Sequence, residues 1–216
     1  MSNSQRRSRR RSGPCPSRRV DPPPATSKGL DFTAAMRRFC VDAAARVEAL
    51  AHVEMDRVAV SFSQARKATH HGMYASLTPM RFEGGRRHTI RRGRKWSVQR
   101  LCDASGNEML YILNFYLPRF LDLPFREKLV TVFHELWHVG PDFDGDIRRF
   151  PGRCFAHGSS QKAYDAQVSR LVDAWLTSDP PADLCEFLRG DFRGLSARHG
   201  RIYGRKIGVP KLIPLD

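Results

Sequence analysis

Apolar residues fall into two periodicities along the chain, and their succession predicts its elements. From Asp31, residues Phe32, Met36, Phe39, Ala43, Val47 and Leu50 recur at three- and four-residue steps, with Arg37, Arg38, Asp42 and Arg46 between them. That spacing predicts an amphipathic helix ending near His52. Val58-Ala59-Val60-Ser61-Phe62 is rich in β-branched residues and alternates, as a strand does. A second strand is expected over 76–82, after a turn at His70-His71-Gly72, and residues 88–101 read as a strand pair or one bent strand. Ser105-Gly106-Asn107 marks a turn, and the apolar run 109–117 suits a central strand.

Helical spacing returns at Phe125, Leu129, Val132, Phe133 and Leu136, with Glu127, Thr131, His134, Glu135 and His138 forming a polar stripe on another side. Asp122 and Pro124 offer a start to this helix, and Gly140-Pro141 a stop. A loop rich in Gly, Pro and Asp follows over 139–156. The next helix is predicted over 159–177, with Tyr164, Val168, Leu171, Val172 and Trp175 inward and Ser159 or Ser160 as N-cap. Residues 180–190 read as a short helix and 191–216 as an extended C-terminal piece. The sum is an α+β domain over 31–190, a small mixed sheet packed against an N-terminal helix, the 125–138 helix and the helix after it.

Composition and charge change this picture at the N-terminus. Residues 1–30 are Arg, Ser and Pro with almost nothing apolar, which predicts a disordered basic arm. The net charge of +15 is concentrated. Residues 1–30 carry eight Lys/Arg against Asp21, and residues 81–100 another eight against Glu83. Such clusters suit phosphate backbones, so nucleic acid is a candidate partner through 1–30 and 81–100. No apolar run is long enough to span a bilayer, and no apolar segment follows the basic start, which argues against insertion and secretion and for a cytoplasmic protein. Five scattered cysteines with no C-x-x-C pair fit a reducing compartment.

The chemistry centres on His134-Glu135-Leu136-Trp137-His138. On a helix, histidines at i and i+4 share a face and can grip one metal ion, while the intervening glutamate can reach a metal-bound water. Two imidazoles and a third N or O ligand favour Zn2+. A catalytic zinc takes three protein ligands and keeps one position open, so the third must come from elsewhere. His157 is the leading candidate, with Asp142, Asp144, Asp146 and Cys154 as alternatives. A site closed by both Cys154 and His157 would be structural and would leave Glu135 without a task. Tyr164, Arg148 and Arg149 are candidate donors to a developing oxyanion, and the two arginines could instead pair with Asp144 and Asp146. His70-His71 reads as a turn and His88 as solvent-facing. The apolar strand ahead of the motif is where an extended peptide substrate could add to the sheet. The rival reading is a nucleic-acid-binding protein whose metal only holds the fold.

The stretch FHELWHVGPDFDGDIRRFPGR, followed by HGSSQKAYD, resembles zincin-like metallopeptidase families of phages, bacteria and archaea, distantly similar to SprT-like proteases. The resemblance covers about residues 31–177. It implies a zincin-like fold with the motif helix behind a short sheet, zinc held by His134, His138 and the His157 of a later His-Gly pair, and peptide hydrolysis with Glu135 as general base. Two departures stand out. Gln161 occupies a position where the SprT-like pattern has an aromatic, and no C-terminal cysteine ribbon is present. Action on DNA-bound proteins is therefore the weaker implication.

Overall fold

The run 109–117 does become the middle of a sheet, and the two faces of that sheet organise the rest. The computed structural model describes residues 17–20, 28–65, 72–152, 155–158 and 160–215, with mixed α+β architecture. Its elements begin with β1 (Arg18–Arg19), β2 (Leu30–Asp31), α1 (Phe32–Arg46), β3 (Val58–Gln64) and β4 (Ala75–Pro79). The hairpin β5 (His88–Arg91) and β6 (Arg94–Val98) follows, then β7 (Leu101–Cys102) and β8 (Tyr111–Leu117). The helices α2 (Phe125–Trp137), α3 (Gln161–Thr177), α4 (Ala182–Arg189) and α5 (Phe192–His199) precede β9 (Ile202–Tyr203) and β10 (Leu212–Pro214).

The main sheet has the order β3-β8-β4, with β3 parallel and β4 antiparallel to β8. Alternation sorts its side chains. Val58, Val60, Phe62, Tyr111, Leu113, Phe115 and Leu117 join the core beneath α1, α2 and α3, around Phe32, Phe39, Phe133 and Trp175. Each large side chain so buried contributes about 1.5–3 kcal/mol relative to exposure. Ala59 and Ile112 point the other way, into a smaller cluster with Val20, Met80, Leu101 and Met109. β3 and β8 are thus buried on both faces over most of their length, which is why 58–62 is apolar at nearly every position.

Polar contacts lock the helices together. The indole Nε1 of Trp175 on α3 donates to Asp42 on α1 at 2.8 Å. Lys128 of α2 is almost fully buried, and its Nζ donates to the carbonyls of Leu188 and Gly190 at 2.9 and 2.7 Å. A cation is thereby placed where the unpaired carbonyls at the end of α4 gather partial negative charge.

Several sequence expectations need correction. α1 stops at Arg46 because Val47 turns extended, which lets a short 3-10 turn at Glu48–Leu50 bury Leu50. Asp122 does not cap α2; its carboxylate accepts the Phe192 backbone N–H at 3.1 Å, and Pro124 occupies the N-cap. The C-terminal piece is no free tail. α5 sends Leu195 into the core, β9 pairs with β2, and β10 pairs with β6. Part of the basic arm is also docked: Arg18 and Arg19 pair with Leu101 and Cys102, and Val20 is buried. Residues 1–16 and 21–27, Cys154 and the His70-His71 pair lie outside the described residues.

The 81–100 cluster is partly internal. Glu108 is buried, with Arg81, Arg100 and Arg87 at 2.8, 3.1 and 3.7 Å. Burial alone would raise its carboxyl pKa; the bond and charge of Arg81, then Arg100 and Arg87, outweigh that and hold it low.

Candidate metal centre

α2 carries the first two histidines one turn apart, and the chain brings the third back from a loop. His134, His138 and His157 converge so that one ligand atom from each lies within 4.8 Å of the others, a group that could hold one metal ion. His138 Nε2 is 3.1 Å from His134 Nε2 and 3.2 Å from His157 Nε2. Tetrahedral ligands each about 2.05 Å from a zinc stand about 3.3 Å apart, so these spacings suit a shared ion.

Proton accounting points the same way. Tyr164 Oη lies 3.4 Å from the His134 carbonyl oxygen and 3.3 Å from His138 Nδ1. A carbonyl can only accept, so when the single hydroxyl proton goes to it the phenol oxygen accepts from His138 Nδ1–H. In that tautomer His138 turns a bare Nε2 lone pair toward the other two rings. Burial, then the neighbouring His134 and His157, hold the His138 pKa down to about 3, and burial followed by His157 lowers that of His134. Both rings stay neutral, the form that ligates. Phe150 packs edge-on to Tyr164, whose ring in turn lies against His157 at 4.7 Å between centroids.

If Tyr164 orients a ligand, Tyr164→Phe will keep the fold and weaken metal binding by roughly 10–100-fold. Competition with a chromophoric chelator reads this. Unchanged affinity with lost turnover would instead make the hydroxyl an oxyanion donor.

Glu135 faces the sheet. Burial pushes its carboxyl up to about 7, opposed by a hydrogen bond from the Leu77 backbone. Leu77 lies on β4, and the reach of its N–H follows from register. The Tyr116 N–H donates to Tyr74 O, and the Met80 N–H to Leu110 O. By alternation the backbone groups of Ser76 and Thr78 face β8, while those of Ala75 and Leu77 face away. Among the described residues no strand pairs with that outer side of β4. Among the described residues β4 is thus an edge strand beside Glu135, whereas β8, the apolar strand expected to accept an extended peptide, has both sides occupied.

Two of the alternative ligands, Asp146 and Asp144, already have partners. Asp146 binds Arg149 at 2.8 Å and accepts the N–H groups of Gly84 and Ile147 at 3.0 and 2.8 Å. Asp144 accepts the Asp146 N–H, and Asp142 is exposed. Arg149 has the loop-stiffening role open to it. Arg148 instead lies 3.7 Å over the Trp137 ring and donates to the Trp137 carbonyl.

Sequence reasoning missed the buttress beneath this loop. Tyr111 of β8 donates to Asp146 O at 2.7 Å and accepts the Gly145 N–H at 3.1 Å. Gly145 has φ +94°, and a Cβ there would sit 2.5 Å from Arg81 Cγ, so only glycine fits. Nothing in the local pattern signals these contacts, which join residues far apart in the chain.

No protein-family model matches this chain, and neither does any curated protein or solved structure. Any functional assignment therefore rests on the geometry of the site.

Proposed function

We propose that this chain is a zinc-dependent metallopeptidase of the zincin-like kind its motif resembles. One observation carries the reading: three imidazoles with Nε2 contacts of 3.1 and 3.2 Å, two of them from the helix that also buries Glu135. The donor set fits zinc, with His134, His138 and His157 as the residues that would hold it. When bound there, zinc supplies a Lewis acid that acidifies a water and polarises a carbonyl.

The remaining work belongs to the chain. The Glu135 carboxylate takes a proton onto Oε from the water whose oxygen bonds to the peptide carbonyl carbon, and returns it to the amine nitrogen as the C–N bond breaks. Its elevated pKa places it near neutrality, where both transfers are accessible, and a dication beside it would favour the ionised form that must act first. The outward backbone groups of Ala75 and Leu77 offer an extended peptide a strand to pair with, next to Glu135. The Leu77 N–H, once Glu135 has moved toward substrate, becomes a donor for that peptide.

The test is mass spectrometry on a mixture of unstructured peptides incubated with the zinc-loaded chain. New termini that disappear with a chelator and return with zinc support the reading. A chain holding one zinc that produces no new termini, from peptides or from cell lysate, points to a metal that serves the fold alone.

A further inference from the structure

The β5–β6 hairpin plays no part in the metal centre, and its shape and charge call for a partner. Its turn is Arg92-Gly93, with φ of +51° and +72°, both central residues left-handed as in a type I′ hairpin. β10 flanks β6 only as far as Trp96, with one further bond from the Leu215 N–H to the Lys95 carbonyl. Beyond that point the hairpin is two strands alone, the Arg91–Arg94 pair and the turn.

Arg91, Arg92, Arg94 and Lys95 are exposed on it. Register assigns their faces: Ile90 opposes Lys95 on one side, Arg91 opposes Arg94 on the other, and Arg92 stands at the tip. Among the described residues no carboxylate pairs with Arg91, Arg92 or Lys95, whereas Arg81, Arg87 and Arg100 nearby converge on Glu108. The retained cations are therefore those that point away from the body. Ile90 is 73% exposed at the same place, an apolar side chain where solvation alone would favour a polar one.

We propose that this ribbon binds duplex DNA by entering the major groove. A groove meets both faces of an inserted ribbon, whereas a membrane or a flat acidic protein surface would meet only one, leaving the cation on the other face unused. Two strands about 4.8 Å apart with their side chains fit a groove about 12 Å wide. The corresponding groove of A-form RNA is too deep and narrow to admit them. Arg91 and Lys95, on opposite faces, meet phosphates on the two walls, Arg92 at the tip reaches inward, and Ile90 supplies apolar contact beside Lys95.

The experiment is fluorescence anisotropy of a labelled DNA duplex titrated with the full chain over a series of salt concentrations. The variant is Arg91→Gln/Arg92→Asn/Lys95→Gln, in which Asn retains the left-handed turn. Each lost phosphate contact lowers the slope of log affinity against log salt by about 0.9, and Arg91 and Lys95 each give one up, so the slope should become shallower by up to about 1.8. A control variant, Arg6→Gln/Arg7→Gln/Arg9→Gln, should lose less, and an RNA duplex should hardly respond to the hairpin changes. Arg91→Lys/Arg92→Lys should keep the wild-type slope, which separates charge from folding. An unchanged slope in the hairpin variant, an equal loss in the arm variant, an equal loss on RNA, or a loss in the Lys variant would each overturn the proposal. Peptide hydrolysis is not read in this assay, so its outcome is independent of the metallopeptidase reading.

Discussion

Glu135→Gln will keep zinc at the wild-type amount and lower peptide hydrolysis by roughly 10²–10⁴-fold, the usual contribution of a positioned general base. The amide has the shape of the carboxyl, and its oxygen can still accept from the Leu77 backbone. What it lacks is a site for the proton. Stability should hold or rise, because burial disfavours the charged form that the substitution removes. Elemental analysis, thermal unfolding and product formation on one preparation separate these effects. A variant that hydrolyses at the wild-type rate would remove Glu135 from the mechanism.

His157→Ala will lose most of its zinc while the domain stays folded. The residue sits part-exposed in the turn before α3, and the Tyr164 ring that packs on it is also held by Phe150. The loss in affinity should exceed the roughly 10–100-fold expected from removing an outer hydrogen-bond partner, because a metal–nitrogen bond itself disappears. Hydrolysis should fall in step with bound zinc and recover in part at high zinc concentration. Full retention of zinc would place the third ligand among Asp142, Asp144 or Cys154, since the Asp146 carboxylate is already held by Arg149.

The motif helix and the helix after it were legible because each satisfies a local rule. All five residues expected to face inward on α3, from Tyr164 to Trp175, are buried, and Ser160 caps it by accepting the Ala163 N–H. Likewise β8 could be read as central because residues apolar on both faces have nowhere else to go. The convergence of His157 on His138 could be suspected from residue type, but its distance could not, since it depends on how an irregular loop is pinned by Tyr111 and Arg81.

What sequence could not show is pairing. Strands as short as β9 and β10 have no periodic signature; they exist because Leu30 and Trp96 wait for them in the folded body. The same holds for charge. Arg81 and Arg91 look alike in a cluster, yet one is buried against Glu108 and the other stands on a projecting ribbon.

The outer side of β4 has a cost as well as a use. Any backbone edge kept open for one extended chain is open to others, including a second copy of this protein, and such edges seed aggregation. Here the exposed row is short: β4 ends at Pro79, which has no N–H to offer, and the chain beyond it is taken up when the Arg81 N–H bonds to Gly145 O. Only a few backbone groups remain, enough for the proposed pairing with a single segment but too few to template a growing sheet.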